Sequence, residues 1–273
     1  MGGRKKLFSL LALAVILLIG AAFRLWLVPA QLPYHYVADE FQVVERALRV
    51  GAGNPNPGLF TWPGSLVIYL DFLLYAGFFG AALISGAASS ASEFARLYWT
   101  NPTAFYLLAR VLSAAFGLLA VWAVYYITAG LYKINPPGDT KYSTAAGLFA
   151  AVAFALMPQA IISSAQALPD MAATALALAA LAVAVGTTAE SGWKRAAFVG
   201  LLLGFAVASK YHAVLYIVPI AGLYFFPTDT RSGRLKSVAF VCGGLIVGFI
   251  LSCPFAVLDF PTLAADWSMM LAR

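Results

Sequence analysis

The sequence predicts an all-α, polytopic membrane protein: a bundle of about seven transmembrane helices, with further helices lying at one membrane surface. Three observations predict it. The chain of 273 residues is 62% hydrophobic and 10% charged, far from the roughly one-quarter charged share of a soluble domain. Several apolar stretches reach the roughly 20 residues that a helix needs to cross hydrocarbon. No stretch alternates apolar and polar residues as the strands of a membrane β-barrel must.

The first span is LFSLLALAVILLIGAAFRLWLV at 7–28. Its basic start, MGGRKK, and the small residues Gly20-Ala21-Ala22 suit a cleaved secretory signal, but the apolar run continues through Leu25-Trp26-Leu27-Val28. That is too long for a signal core, so a retained helix is preferred. Further spans fall at about 103–131, 144–161, 169–187, 196–208, 211–226 and 237–257. Ser209-Lys210 interrupts the run 196–226. Unbroken, that run would make a helix roughly 46 Å long for a core of about 30 Å. A hairpin with Lys210 at its outer tip fits better.

Charge orients these spans. Lys133 and Lys141, then Lys194 and Arg195, then Arg231, Arg234 and Lys236 mark three short basic loops that join Arg4, Lys5 and Lys6 on the cytoplasmic side. Of the 11 acids, Asp139, Glu190 and Asp229 share that side; the other acids face outward. The net charge of +6 therefore reflects membrane orientation, with no nucleic-acid partner implied. The stretch 62–86 is long enough to cross, but a single crossing there would turn every later basic loop outward. It is expected on the outer surface, and Asp71 in its middle agrees, since a carboxylate at the bilayer centre costs about 2.5–3.5 kcal/mol.

The chain thus reads as one module, 1–273, with an outer loop at 29–102, a helical bundle at 103–257 and an outer tail at 258–273. In the outer loop, DEFQVVERALRV forms an amphipathic helix with Phe41, Val43, Val44, Ala47 and Leu48 toward lipid. Asn54-Pro55-Asn56-Pro57-Gly58 stops it. Cys242 and Cys253, eleven residues apart on one apolar segment, are too far apart on a helix for a disulfide and read as core residues.

Asp39 and Glu40 are the foremost candidates for chemistry. Adjacent carboxylates after the first span can take a proton from an attacking hydroxyl or hold a divalent metal ion. Helix capping explains the same residues. Asp170, after Pro169, is either a helix-start signal or a polar group facing a central cavity. Arg110, as a bidentate fork, and Lys210, as a point charge, suit a lipid phosphate, while snorkelling to headgroups is the alternative. Tyr211 and His212 accompany Lys210. No nucleotide loop, nucleophile elbow, zinc spacing or haem motif is present, so a catalyst of this kind needs a substrate delivered through the membrane, as a phospholipid-linked donor would be.

In order along the chain, Ala38-Asp39-Glu40, LLARVLSAAFGLLAVWAVYYI, ALPDMAATALALAAL, VASKYHAVLYIVP and CPFAVLDFPTLAADW resemble the GT-C glycosyltransferases. The similarity is to the family 39 type, which includes protein O-mannosyltransferases and lipid A aminoarabinose transferases. The resemblance implies a membrane enzyme that moves a sugar from a polyprenyl- or dolichyl-phosphate donor to an acceptor hydroxyl by inverting displacement, with its active site on the outer face of the cytoplasmic membrane. It implies Asp39 as general base beside Glu40, Arg110 and Lys210 near the donor phosphate, and interfacial helices at 40–50 and 63–80. Family members generally continue with more helices and often an outer domain, so the chain corresponds to their seven-helix module. A transporter or flippase-like protein, with Asp170 and Lys210 lining a pathway, and a non-catalytic membrane subunit that works with a partner are the competing readings.

Overall fold

The computed structural model describes residues 2–33, 37–134, 140–186, 192–225 and 231–272. Asp139, Glu190 and Asp229 lie outside the described residues. The described fold is helical throughout: α1 (Gly2–Leu27), α2 (Glu40–Gly51), α3 (Ser65–Ser85), α4 (Ala91–Thr100), α5 (Thr103–Ile134), α6 (Thr140–Ala155), α7 (Pro158–Ser164), α8 (Asp170–Val185) and α9 (Trp193–Ser209). A 3₁₀ turn (Tyr211–Tyr216) leads to α10 (Ile217–Phe225), α11 (Arg231–Ser252), α12 (Phe255–Leu258) and α13 (Phe260–Leu271). Four of these, α1, α3, α5 and α11, are continuous and apolar enough to cross a bilayer by length and composition.

The span expected at 144–161 is broken instead. Pro158 cannot donate to the preceding turn and disfavours helical geometry at the residue before it. Met157 is accordingly extended, at φ −63° and ψ 117°, and α6 and α7 meet at a 61° bend. A bend frees backbone carbonyls that lipid cannot satisfy. Arg24 of α1, fully buried, supplies the donors. Its Nη1 donates to Ala155 O at 3.0 Å, on the last residue of α6, and its Nε donates to Ser164 Oγ at 3.2 Å, on the last residue of α7. A cation at a helix C-terminus is also favoured by the helix dipole. Gly117 on α5 leaves the room: a Cβ there would stand 2.7 Å from Arg24 Nε.

The bundle is built on close approach. Gly200 and Gly204 on α9 face Gly244 and Gly248 on α11, and a Cβ on any of the four would strike backbone of the facing helix. Paired small residues four apart are a membrane-helix solution, since association in lipid depends on packing rather than water exclusion. α8, rich in buried alanines, fits between α5 and α9 by the same logic.

The amphipathic helix α2 departs from its expected contacts. Val43, Val44 and Ala47 are buried in one cluster with Ile68 and Tyr75 of α3 and Phe105 and Tyr106 of α5, so this apolar face packs on protein rather than lipid. From Gly64 to Phe78, α3 packs on this same end of the bundle. Near its start, Gly64 lies against Pro169 just before α8, and Ser65 Oγ is 3.3 Å from Cys253 Sγ just after α11. Further along, Tyr75 donates to Phe105 O at 3.2 Å and Phe78 stacks edge-on against Phe105, in the first turn of α5. Asp71 is fully buried within this packing rather than turned to lipid or water.

Candidate active site

At the start of α2 the two adjacent carboxylates part company. Asp39 is exposed; it holds the N-cap position in helical geometry, φ −82° and ψ −17°, with no side-chain cap bond. Capping, the alternative suggested by the sequence, is therefore not what this side chain does. Glu40, fully buried, turns into the protein. Its Oε1 accepts from Arg110 Nε at 2.8 Å and from the Ala167 amide at 2.7 Å, and its Oε2 accepts from Arg110 Nη2 at 2.7 Å.

Arg110, on the first turns of α5, completes this network. Its Nη1 donates to the carbonyls of Val28 and Ala30 at 3.0 and 2.9 Å. All three guanidinium nitrogens are thus engaged within the protein. Rather than presenting its fork to a phosphate, Arg110 fixes Glu40, and through Glu40 it ties the end of α1, the start of α2, α5 and the 165–169 turn together. The long sequence separation of these partners is what made the role unreadable from local spacing.

The same turn leads to Asp170 at the first position of α8. Asp170 Oδ1 accepts from Lys210 Nζ at 2.6 Å, with side chains 40% and 26% exposed respectively. An ammonium has three donors, so this partly exposed pair still has polar capacity to spare. Lys210 is extended between α9 and the 3₁₀ turn, the break in the hairpin that its sequence position anticipates. Tyr211 donates to Phe60 O at 2.9 Å and packs edge-on against Trp267, so it anchors the loop before α3. His212 is exposed.

The segment after Cys253 closes this end. Asp266 Oδ2 accepts from the Phe60 amide at 3.3 Å and Asp259 Oδ2 accepts from Asn56 at 2.7 Å. The Thr262 hydroxyl first, and the Asn56 amide second, hold Asp259 below its ordinary carboxylate range. Contacts therefore gather Glu40, Arg110, Asp170, Lys210 and Tyr211 at one end of the bundle, the end to which α2 and α3 belong. As for metal, Glu40 has both oxygens committed, leaving Asp39 alone at the pair, and no cluster of three His, Cys, Asp or Glu that could hold an ion occurs among the described residues. The residues do not form the divalent site that adjacent carboxylates suggested.

A family model described as dolichyl-phosphate-mannose-protein mannosyltransferase matches residues 104–257, more than half of the chain. The chain belongs to this family. Neither the curated proteins nor the solved structures yield a match. Membership makes it an integral membrane protein among glycosyltransferases of the GT-C type. The mannosyltransferase match covers Arg110, Asp170, Lys210, Tyr211 and His212 but begins after Asp39 and Glu40, so the family and the geometry bear on different parts of the site.

The buried Arg24 was missed by reasoning from sequence, although one signal was present. A lone arginine inside an apolar span is costly unless it faces a partner. The glycine pairs on α9 and α11 carried a signal too, as two small-xxx-small repeats in separate spans.

Proposed function

We propose that this protein transfers a sugar from a polyprenyl- or dolichyl-phosphate donor to an acceptor hydroxyl at the outer membrane face, with Asp39 as general base. The observation that carries the reading is the division of labour within the carboxylate pair. Glu40 is buried and its carboxylate is bonded three times, which fixes the backbone beside it, while Asp39 is exposed and its carboxylate makes no hydrogen bond or ion pair to the described residues. A general base needs an unoccupied carboxylate on a fixed support.

In this reading the Asp39 carboxylate accepts the proton of the acceptor hydroxyl as that oxygen attacks the anomeric carbon. The bond from that carbon to the phosphate oxygen breaks, and the lipid phosphate leaves with both electrons of the bond. Lys210 neutralises the growing charge on the leaving phosphate, with Asp170 orienting the ammonium and Tyr211 and His212 at the rim. Arg110 and Glu40 are positioning residues. The loop 29–102 and the tail 258–273 are the parts that meet donor and acceptor on the outer side, with the N-terminus cytoplasmic.

The test is transfer of labelled sugar in proteoliposomes loaded with the lipid-phosphate donor. Asp39→Asn lowers turnover by at least about 100-fold, the low end of what a general base contributes, with donor binding retained and folding unchanged. Wild-type turnover in that variant removes Asp39 as the base.

A further inference from the structure

A cavity of about 410 Å³ opens between α2, α3 and α4, within the range of roughly 300–1,000 Å³ for small-ligand sites. Asp39, Glu40, Arg110, Asp170 and Lys210 are absent from its lining. Phe72 and Phe79 from α3, Phe94 and Trp99 from α4 and Leu48 of α2 line it, and Phe79 and Phe94 are in ring contact at 5.1 Å. The hydroxyl of Tyr75, which also lines it, is already given to Phe105 O. The interior therefore suits a hydrocarbon better than a polar solute.

The mouth has a different character. Glu45 and Arg49 stand there, and their 3.7 Å ion pair is loose, with the Arg49 side chain 66% exposed. Such a guanidinium retains donors for an anion, and its planar fork matches a phosphate. Arg46, three positions earlier on the same helix, is absent from the lining and donates through Nε and Nη1 to Pro57 O and Gln42 O, so Arg49 is the cation among the lining residues. The helices that form the cavity carry exposed apolar side chains, Leu73, Leu83 and Ile84 on α3 and the lining residue Trp99 on α4, and tryptophan favours the membrane interface.

We propose that this cavity holds one acyl chain of an anionic phospholipid, with the headgroup phosphate on Arg49. A long, branched polyprenyl chain exceeds a volume of about 410 Å³, and the donor phosphate in the reading above belongs to Lys210. The site lies beyond the transfer chemistry and does not depend on it.

The test uses the full chain in proteoliposomes with a phosphatidylglycerol that carries a diazirine on one acyl chain, followed by peptide mapping of the crosslinks. Peptides spanning Phe72–Phe79 and Phe94–Trp99 should dominate, with labelling about fivefold above that from the matched phosphatidylcholine, as expected for one arginine at an anionic headgroup. Arg49→Gln, at an exposed position, should bring that ratio to about one while leaving chain uptake in place. Ala76→Trp, which fills the cavity, should remove the crosslinks at both peptides. Labelling of these peptides no stronger than of the lipid-facing surface of α1 overturns the proposal. So does an unchanged ratio in Arg49→Gln, or preferential labelling by a diazirine-bearing polyprenyl phosphate.

Discussion

Glu40 and Arg110 form a bidentate pair with almost no access to solvent, and what holds for such pairs is asymmetric. Removing one partner strands a buried charge at a cost of about 3–5 kcal/mol, whereas replacing both with apolar groups is far milder. Glu40→Ala should therefore lower the thermal stability of the detergent-solubilised protein sharply, and the double variant Glu40→Leu/Arg110→Met should be more stable than either single change. Equal losses in all three would mean that the pair holds nothing in place. Asp259 supplies a pH test at the same scale. Its depressed pKa means that the tie to Asn56 is fully present above the ordinary value near 3.9 and fails only as pH falls below it. A spin label at Ser268→Cys, on α13, should keep constant mobility from pH 7 to 5 and loosen below about pH 4; in Asn56→Ala that acid step should shrink. The sequence singled out Asp39, Glu40, Asp170 and Lys210 by position near helix ends. Which carboxylate was buried could not be read there, because Glu40 finds its partners 70 and 127 residues away, and no local pattern encodes them.

At the scale of elements, α9 and α11 are held by backbone contact through Gly200, Gly204, Gly244 and Gly248. Gly204→Leu should force the helices apart at a cost of about 1–3 kcal/mol or more, the usual range for overpacking, whereas the same change at Gly243, which has open space around its Cβ position, should be nearly silent. Thermal unfolding of the two variants in one detergent separates them. The apolar spans themselves were legible, because hydrocarbon imposes length and composition on any helix that crosses it. Their internal breaks were less so. Pro158 signals a boundary only when something stabilises the bend, and that something is Arg24, on a different helix. The apolar stripe of α2 was likewise visible as a stripe, but lipid and protein neighbours ask for the same residues, so periodicity could not tell which one covers it.

For the molecule as a whole, α2 and α3 collect at the end that holds Lys210 and Asp170, while Arg195 donates to Val183 O at 3.0 Å near the far end of α8. Single cysteines at Asn56, Ser90 and Gly138, in a background lacking Cys242 and Cys253, should react with an impermeant reagent from outside, outside and inside respectively. Outside labelling at residue 138 would reverse the proposed orientation. The network around Glu40 also has a consequence in time. Its last contributor, the Ala167 amide, is made 127 residues after Glu40, which at about 5–20 residues per second is on the order of ten seconds of synthesis. The support beneath Asp39 therefore closes only after residue 167 has been made, so this site, which begins near the front of the chain, is among the later parts to be finished.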